Sequence, residues 1–350
     1  MRNRRVLAAL FCAAALMSLT GCMAKPTGGA LTEKGMKALE EGEYSAALEN
    51  FNKAIQRGED EVPAYRGLGL AQMAQAQYQE AAESFKSALS YADEKMPETV
   101  RDIELYLATA QFRGGDNGGT ISTCQSLLES KPTADAAFFM GAAYLNLGDE
   151  DQARNYFDQA ISLQSGDYDL YLEIYEQYEE ENLTAIGDQY LQTALMIPPE
   201  TMEDSVSIGR IYYYLEQYDK AKETVNSAAE EGFMPARELM GEIYLAREDY
   251  VHAQSMYETI MEEEGESGVL YNGLAQCALA SGDYDKALAY IEQGIALGED
   301  SSLQALRFNE IVAYERKLDF STAKLKAEAY ISLYPSDEAG RKEYTFLITR

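Results

Sequence analysis

One histidine, two internal cysteines, two runs of glutamates and a glycine-rich segment are the residues whose types and spacing could do chemistry. His252 is the single imidazole, and a general base needs a nucleophile or proton donor within hydrogen-bond reach, which nothing near it supplies. Gly114 to Gly119 reads Gly-Gly-Asp-Asn-Gly-Gly, a composition suited to cradling phosphate. A phosphate loop also needs a following Lys-Ser/Thr pair and a preceding strand, and both are missing. Glu179–Glu181 and Glu262–Glu264 gather carboxylates without the ligand spacing of a calcium loop. They read as solvated helix ends with at most a diffuse affinity for divalent cations. Cys124 and Cys277 form no disulfide framework and read as small apolar residues inside helix packing. No placed base, nucleophile or ligand set emerges, so the chain reads as a non-enzyme with no cofactor and no metal site.

A different chemistry is suggested at Cys22. Arg2, Arg4 and Arg5 precede an apolar run from Val6 to Leu19, and the run ends in Leu19-Thr20-Gly21-Cys22. The run is too short and wrongly flanked for a comfortable spanning helix. The four-residue end resembles the lipobox of bacterial lipoproteins. That resemblance implies cleavage after Gly21 and acylation of Cys22, which anchors the chain in a lipid bilayer on the extracytoplasmic face of a bacterial membrane. The competing reading is an ordinary secretory signal or an uncleaved anchor. On the lipoprotein reading residues 1–21 are a signal peptide and residues 22–30 a lipidated tether. Met23 to Ala30 reach on the order of 25–30 Å at full extension, so the folded part sits close to the bilayer. Two or more acyl chains are needed for stable anchoring.

The body of the chain repeats itself. Segments 41–58, 76–93, 147–164 and 281–298 read EGEYSAALENFNKAIQRG, AQYQEAAESFKSALSYAD, LGDEDQARNYFDQAISLQ and SGDYDKALAYIEQGIALG. Each carries a turn, then a small residue with a bulkier one four positions on, a spacing that puts both on one helical face. The small residue recurs at Ala47, Ala81, Thr120, Ala153, Gly187, Ala221, Ala253, Ala287 and Ala323. Twelve positions upstream of each stand Gly35, Gly69, Ala108, Gly141, Tyr175, Gly209, Gly241, Ala275 and Ile311. A second helix therefore precedes each first one, and the unit is a helical hairpin repeated nine times. Gly or Ala lets two helices approach closely while an aromatic of the partner fills the groove beside it. Twenty-six Tyr with no Trp fits this scheme, because Tyr buries its ring and keeps its hydroxyl wet.

This pattern resembles the tetratricopeptide repeat over about residues 28–337. The family's aromatic at the turn is matched by Tyr44, Tyr78, Tyr218, Tyr250, Tyr284 and Phe320, and its aromatic in the second helix by Phe51, Phe85, Phe157 and Tyr257. Pro132 and Pro335 stand where repeats end. The resemblance implies an all-α fold, a right-handed superhelical solenoid of about nine stacked hairpins over residues 31–337. Residues 338–350 then form a capping helix. Repeat three departs through an extended link, YADEKMPETVRD at 91–102, and repeat five through Tyr175 and Gly187, which exchange large and small. A locally altered superhelical twist is expected at both. In register, Gly114–Gly119 becomes the turn of repeat three, and His252 falls on the solvent side of a second helix.

In that family the first helices line an inner, concave wall. The resemblance places Arg66, Leu70 and Met73 there, then Leu105, Thr109 and Phe112, then Phe138, Ala142 and Leu145, then Arg210, Tyr213 and Tyr214. The carboxylate clamp of some members needs Lys and Asn at several such positions, and Asn272 stands nearly alone. A groove of aromatic, aliphatic and a few arginine side chains on an acidic molecule suits a peptide with apolar anchors and basic residues beside them.

The charge excludes other partners. The formal charge is −30, and loss of Arg2, Arg4 and Arg5 with the leader takes it to −33. Such a chain repels nucleic acid. Two functions fit: a membrane-anchored scaffold binding a protein or peptide partner, or an envelope accessory protein that stacks carbohydrate or peptidoglycan on its aromatic groove. A hydrolase would have to depend on His252 or a carboxylate pair, and none is expected.

Overall fold

A computed structural model describes residues 29–350 apart from Glu94, Glu299 and Ser336. Cys22, the leader and nearly all of the tether lie outside the described residues. Every regular element among those described is a helix. In chain order these are α1 (Ala30–Glu40), α2 (Tyr44–Gln56), α3 (Glu61–Ala74), α4 (Tyr78–Tyr91), α5 (Pro97–Arg113), α6 (Asn117–Ser130), α7 (Ala134–Asn146), α8 (Glu150–Leu163), α9 (Tyr168–Glu180) and α10 (Thr184–Ala194). They continue as α11 (Met202–Tyr214), α12 (Tyr218–Glu230), α13 (Met234–Ala246), α14 (Tyr250–Glu264), α15 (Gly268–Ser281), α16 (Tyr284–Leu297), α17 (Asp300–Arg316), α18 (Phe320–Leu333) and α19 (Glu338–Leu347). No described helix is long and apolar enough to cross a membrane.

The helices pair as nine hairpins plus α19, and they fall into two compact units, Cys22–Thr193 and Ala194–Arg350. Within the first unit the odd-numbered helices also meet one another, α1 with α3, α3 with α5, α5 with α7 and α7 with α9. Within the second, α11 meets α13, α13 meets α15 and α15 meets α17. Within each unit the first helices of successive hairpins thus lie side by side and share a face.

Steric fit between large and small residues builds this packing. All nine second-helix ruler residues, Ala47 through Ala323, are buried, as are their nine upstream counterparts. Phe51 shows why size matters, since a Cβ on Gly35 would stand 2.7 Å from its ring and one on Gly67 2.3 Å. Phe85 fills the space beside Gly69, Phe157 that beside Gly141, and Tyr257 that beside both Gly241 and Gly273. In the fifth hairpin the sizes are exchanged as the sequence indicates. Tyr175 is buried on α9, and a Cβ on Gly187 of α10 would meet its ring at 2.9 Å.

The turn inside each hairpin is one device used nine times. Gly42, Ala76, Gly115, Gly148, Asn182, Glu216, Glu248, Gly282 and Leu318 all have positive φ, and each lies five residues before its ruler. The amide of the next residue bonds back to a carbonyl of the first helix at 2.7–3.0 Å, from Glu43 N–H to Ala38 O through Asp319 N–H to Tyr314 O. This is the six-to-one closure that follows a left-handed residue at a helix C-terminus. In five hairpins the next residue is also an aspartate that caps the second helix: Asp116, Asp149, Asp249, Asp283 and Asp319.

The link before repeat three is shorter than its sequence implies. Tyr91 still belongs to α4 and Pro97 already opens α5, so residues 92–96 alone connect them. The additional residues lengthen α5 at its N-terminus, where proline is tolerated because the first amides of a helix have no intrahelical partner.

Candidate binding face

The chemistry-bearing residues outside the shared helix face take structural roles. Asp116 accepts the Gly119 amide at 2.9 Å, so its carboxylate occupies the helix terminus that a phosphate would need. Gly114–Asp116 form the turn, and Asn117–Gly119 begin α6. His252 is exposed, with Nδ1 2.7 Å from Asp249 and its ring stacked on Tyr244 at 5.3 Å between centroids. That contact holds the Asp249 carboxyl below its usual range. Cys124 and Cys277 are free and buried, and burial pushes both thiols up to about 12, which leaves them unreactive at neutral pH. Among the described residues no three His, Cys, Asp or Glu side chains converge as a metal site. The glutamate runs do end helices α9 and α14, with one addition. Glu263 is bonded at 2.5 Å to Arg237, which is buried on α13.

The first helices carry the face that remains. In the unit Cys22–Thr193 the positions that could line it follow a three- or four-residue step: Asp102, Leu105, Thr109 and Phe112 on α5, Asp135, Phe138, Ala142 and Leu145 on α7, and Asp169, Glu173, Glu176 and Glu180 on α9. That step keeps side chains on one side of a helix. Leu70, Leu105, Thr109 and Phe112 are half-buried. Phe112 meets Phe139 at 5.7 Å, and Phe139 meets Phe138 at 5.6 Å.

Four of the residues expected to line the groove belong to the core instead. Met73, Phe138 and Leu145 are 4%, 9% and 3% exposed, and Ala142 is fully buried. Neighbouring helices cover them, so they are packing residues rather than anchors for a partner. Arg66 is also committed, with Nε 2.7 Å and Nη2 2.6 Å from Asp102 Oδ2 and its guanidinium 5.2 Å from the Tyr106 ring centroid. It ties α3 to α5. Asn272 is another interior residue, because its Oδ1 accepts from buried Asn309 Nδ2 at 2.8 Å. This pair joins α15 to α17 and takes Asn272 out of any clamp.

Carboxylates missed at the sequence level complete the face. Burial first, and then Asp135, Asp167 and Asp169, push Glu173 up to about 7, against the opposing pull of Arg113. Four acids and one arginine therefore act on one another across α5, α7 and α9. In the unit Ala194–Arg350, Arg210, Tyr213 and Tyr214 on α11 are half-buried, and Tyr213 packs edge-on against Tyr214 and Tyr218. Glu238 and Glu242 on α13 act on Arg210, and burial pushes both carboxyls up. Part of the signal was present in the sequence, since Glu176, Glu238 and Glu242 hold the register in repeats five and seven that the groove residues hold in two, three, four and six, while Glu173 stands one position off it, next to Leu172.

Models of the tetratricopeptide repeat match residues 32–97, 134–167 and 244–307. No curated protein sequence matches the chain. Solved structures similar to it include a tetratricopeptide repeat protein from Parabacteroides merdae, 14% identical, over 71% of this chain and 98% of that one, with a TM-score of 0.47. Another is MamA, 24% identical, over 46% of this chain and 92% of that one, with a TM-score of 0.38.

Proposed function

Since the chain is a tetratricopeptide repeat protein, with family matches in both units, we propose that it is a membrane-anchored scaffold holding a protein segment against the shared face of its first helices. Proteins of this repeat are typically non-catalytic, and the side-chain chemistry gives no reason to assign a reaction. The observation that carries the reading is the face itself: half-buried Leu105 and Phe112 stand beside carboxylates whose protons are retained by burial and by one another. Apolar anchors interleaved with lysine or arginine are what such a surface fits, because a cation relieves the crowding of like charges as the anchors leave water. Anchoring rests on the Leu19-Thr20-Gly21-Cys22 sequence, with the acylated Cys22 holding the chain at the extracytoplasmic face of a bacterial membrane.

Two experiments test the two halves. A photo-crosslinking residue at position 112 or 213 of the full-length protein should trap one stoichiometric protein partner in living cells. Retention on purified cell wall, lost on joint Tyr213→Ala and Tyr214→Ala substitution and without any crosslinked protein, would replace the scaffold with a carbohydrate binder. For the anchor, metabolic labelling with a fatty-acid analogue should tag the wild type and leave Cys22→Ser untagged. Label on the serine variant rules the lipid anchor out.

A further inference from the structure

Helix α19 closes the last hairpin through apolar contacts. A Cβ on Gly340 would stand 2.4 Å from the Tyr330 ring of α18, and Leu347 is buried in one cluster with Ile311, Ala327 and Tyr330. At the head of α19 the Tyr330 hydroxyl donates to Asp337 and accepts from Gln304 Nε2 at 3.1 Å. One contact in this interface is unfavourable when ionised. Glu343 of α19 meets Glu315 of α17, and Glu343 Oε1 is buried without a hydrogen-bond partner. Two carboxylates are both acceptors, so their contact is a hydrogen bond only when one of them carries a proton.

Charged and polar groups near the pair on α17 and α18 are engaged elsewhere. On α17, Glu310 is held by Lys326 of α18 at 2.7 Å. On α18, the Tyr330 hydroxyl is committed to Asp337. On α19 itself, Arg341 stands two positions before Glu343 and is exposed. We propose that α19 is a proton-operated latch, docked while Glu343 carries a proton that Glu315 can accept as a hydrogen bond and loosened when Glu343 is ionised. Burial, and then Glu315, raise the Glu343 carboxyl to about 7, which places the switch near neutrality. Because the folded value lies above the ordinary 4.5, docking is strongest at acidic pH and is lost as pH rises through about 7. Loosening uncovers the apolar end of the last hairpin, whatever partner the first-helix face holds.

Hydrogen exchange of the full-length protein between pH 5.5 and 8.5, corrected for intrinsic exchange rates, tests the latch. Protection of residues 338–347 should fall by up to tenfold per pH unit above about 7, the limit for one linked proton. Glu343→Gln should flatten that slope, and persistence of the wild-type slope in this variant overturns the proposal. Should Glu343→Gln fail to dock at all, Glu315→Gln with carboxyl-carbon NMR decides. The Glu343 midpoint should stand near 7 in the wild type and drop toward the usual carboxylate range in Glu315→Gln. A wild-type midpoint already in that range overturns the latch.

Discussion

Leu318 adopts a φ of +62° in the turn between α17 and α18 while its side chain is 73% exposed. A left-handed conformation costs an L-residue about 1–2 kcal/mol, and here almost no packing is gained in return. Leu318→Gly should therefore raise stability by about 0.5–1 kcal/mol, after glycine's greater loss of chain entropy is deducted, as read from the urea midpoint. Gly67 presents the opposite case, because any Cβ there meets the buried Phe51 ring at 2.3 Å. Gly67→Ala should lower stability by about 1–3 kcal/mol through overpacking. Glu173 adds a pH dependence of known sign. Its folded value of about 7 exceeds the ordinary 4.5, so the native state binds more protons than the unfolded chain between these values, and stability falls as pH rises through that window. Glu173→Gln imitates the protonated form. It should raise the thermal midpoint on the order of 2–4 °C at pH 8 and leave it unchanged at pH 4, and equal effects at both would refute this account.

At the scale of elements, the fifth hairpin shows that the contact between large and small residues matters more than which helix supplies each. Tyr175 on α9 takes the place that glycine or alanine holds in most hairpins, and Gly187 on α10 gives way to it. Tyr175→Ala alone should cost about 3–5 kcal/mol, since it empties a fully packed site. Gly187→Ala alone should cost about 1–3 kcal/mol by pressing a methyl group onto the ring. Because each change relieves the defect left by the other, the double variant should recover about 0.5–3 kcal/mol relative to the sum. Strict additivity in denaturant melts would mean that the two positions are not packed as a pair. The first, second, fourth and seventh hairpins place the large residue on the second helix, as Phe51, Phe85, Phe157 and Tyr257, and there Phe157 and Tyr257 carry equivalent single-site costs.

Across the whole molecule, the hairpins were legible in the sequence because their determinants are local and periodic: buried rulers, paired aromatics and glycine where the helices touch. The turn device was partly legible, since Gly42, Gly115, Gly148 and Gly282 share a register, but Ala76, Glu216, Glu248 and Leu318 disguise it. The binding face was less so, because a stripe position does not say whether a neighbouring helix covers it, and Met73, Phe138 and Leu145 proved to be covered. Charge is the property that acts at the largest scale. On the proposed lipid anchor, a body of net charge −33 on a tether of about 25–30 Å would feel an anionic bilayer only within a screening length of about 8 Å at physiological salt. At 0.01 M salt that length grows to about 30 Å and spans the tether. The lipidated protein should therefore stand farther from an anionic supported bilayer when salt is lowered from 0.15 to 0.01 M, and keep its height on a zwitterionic one, as measured by neutron reflectometry. The shift cannot exceed the tether's contour, about 25–30 Å. A height that ignores salt on the anionic surface would mean that contacts with the bilayer, rather than the tether and the net charge, set the protein's position.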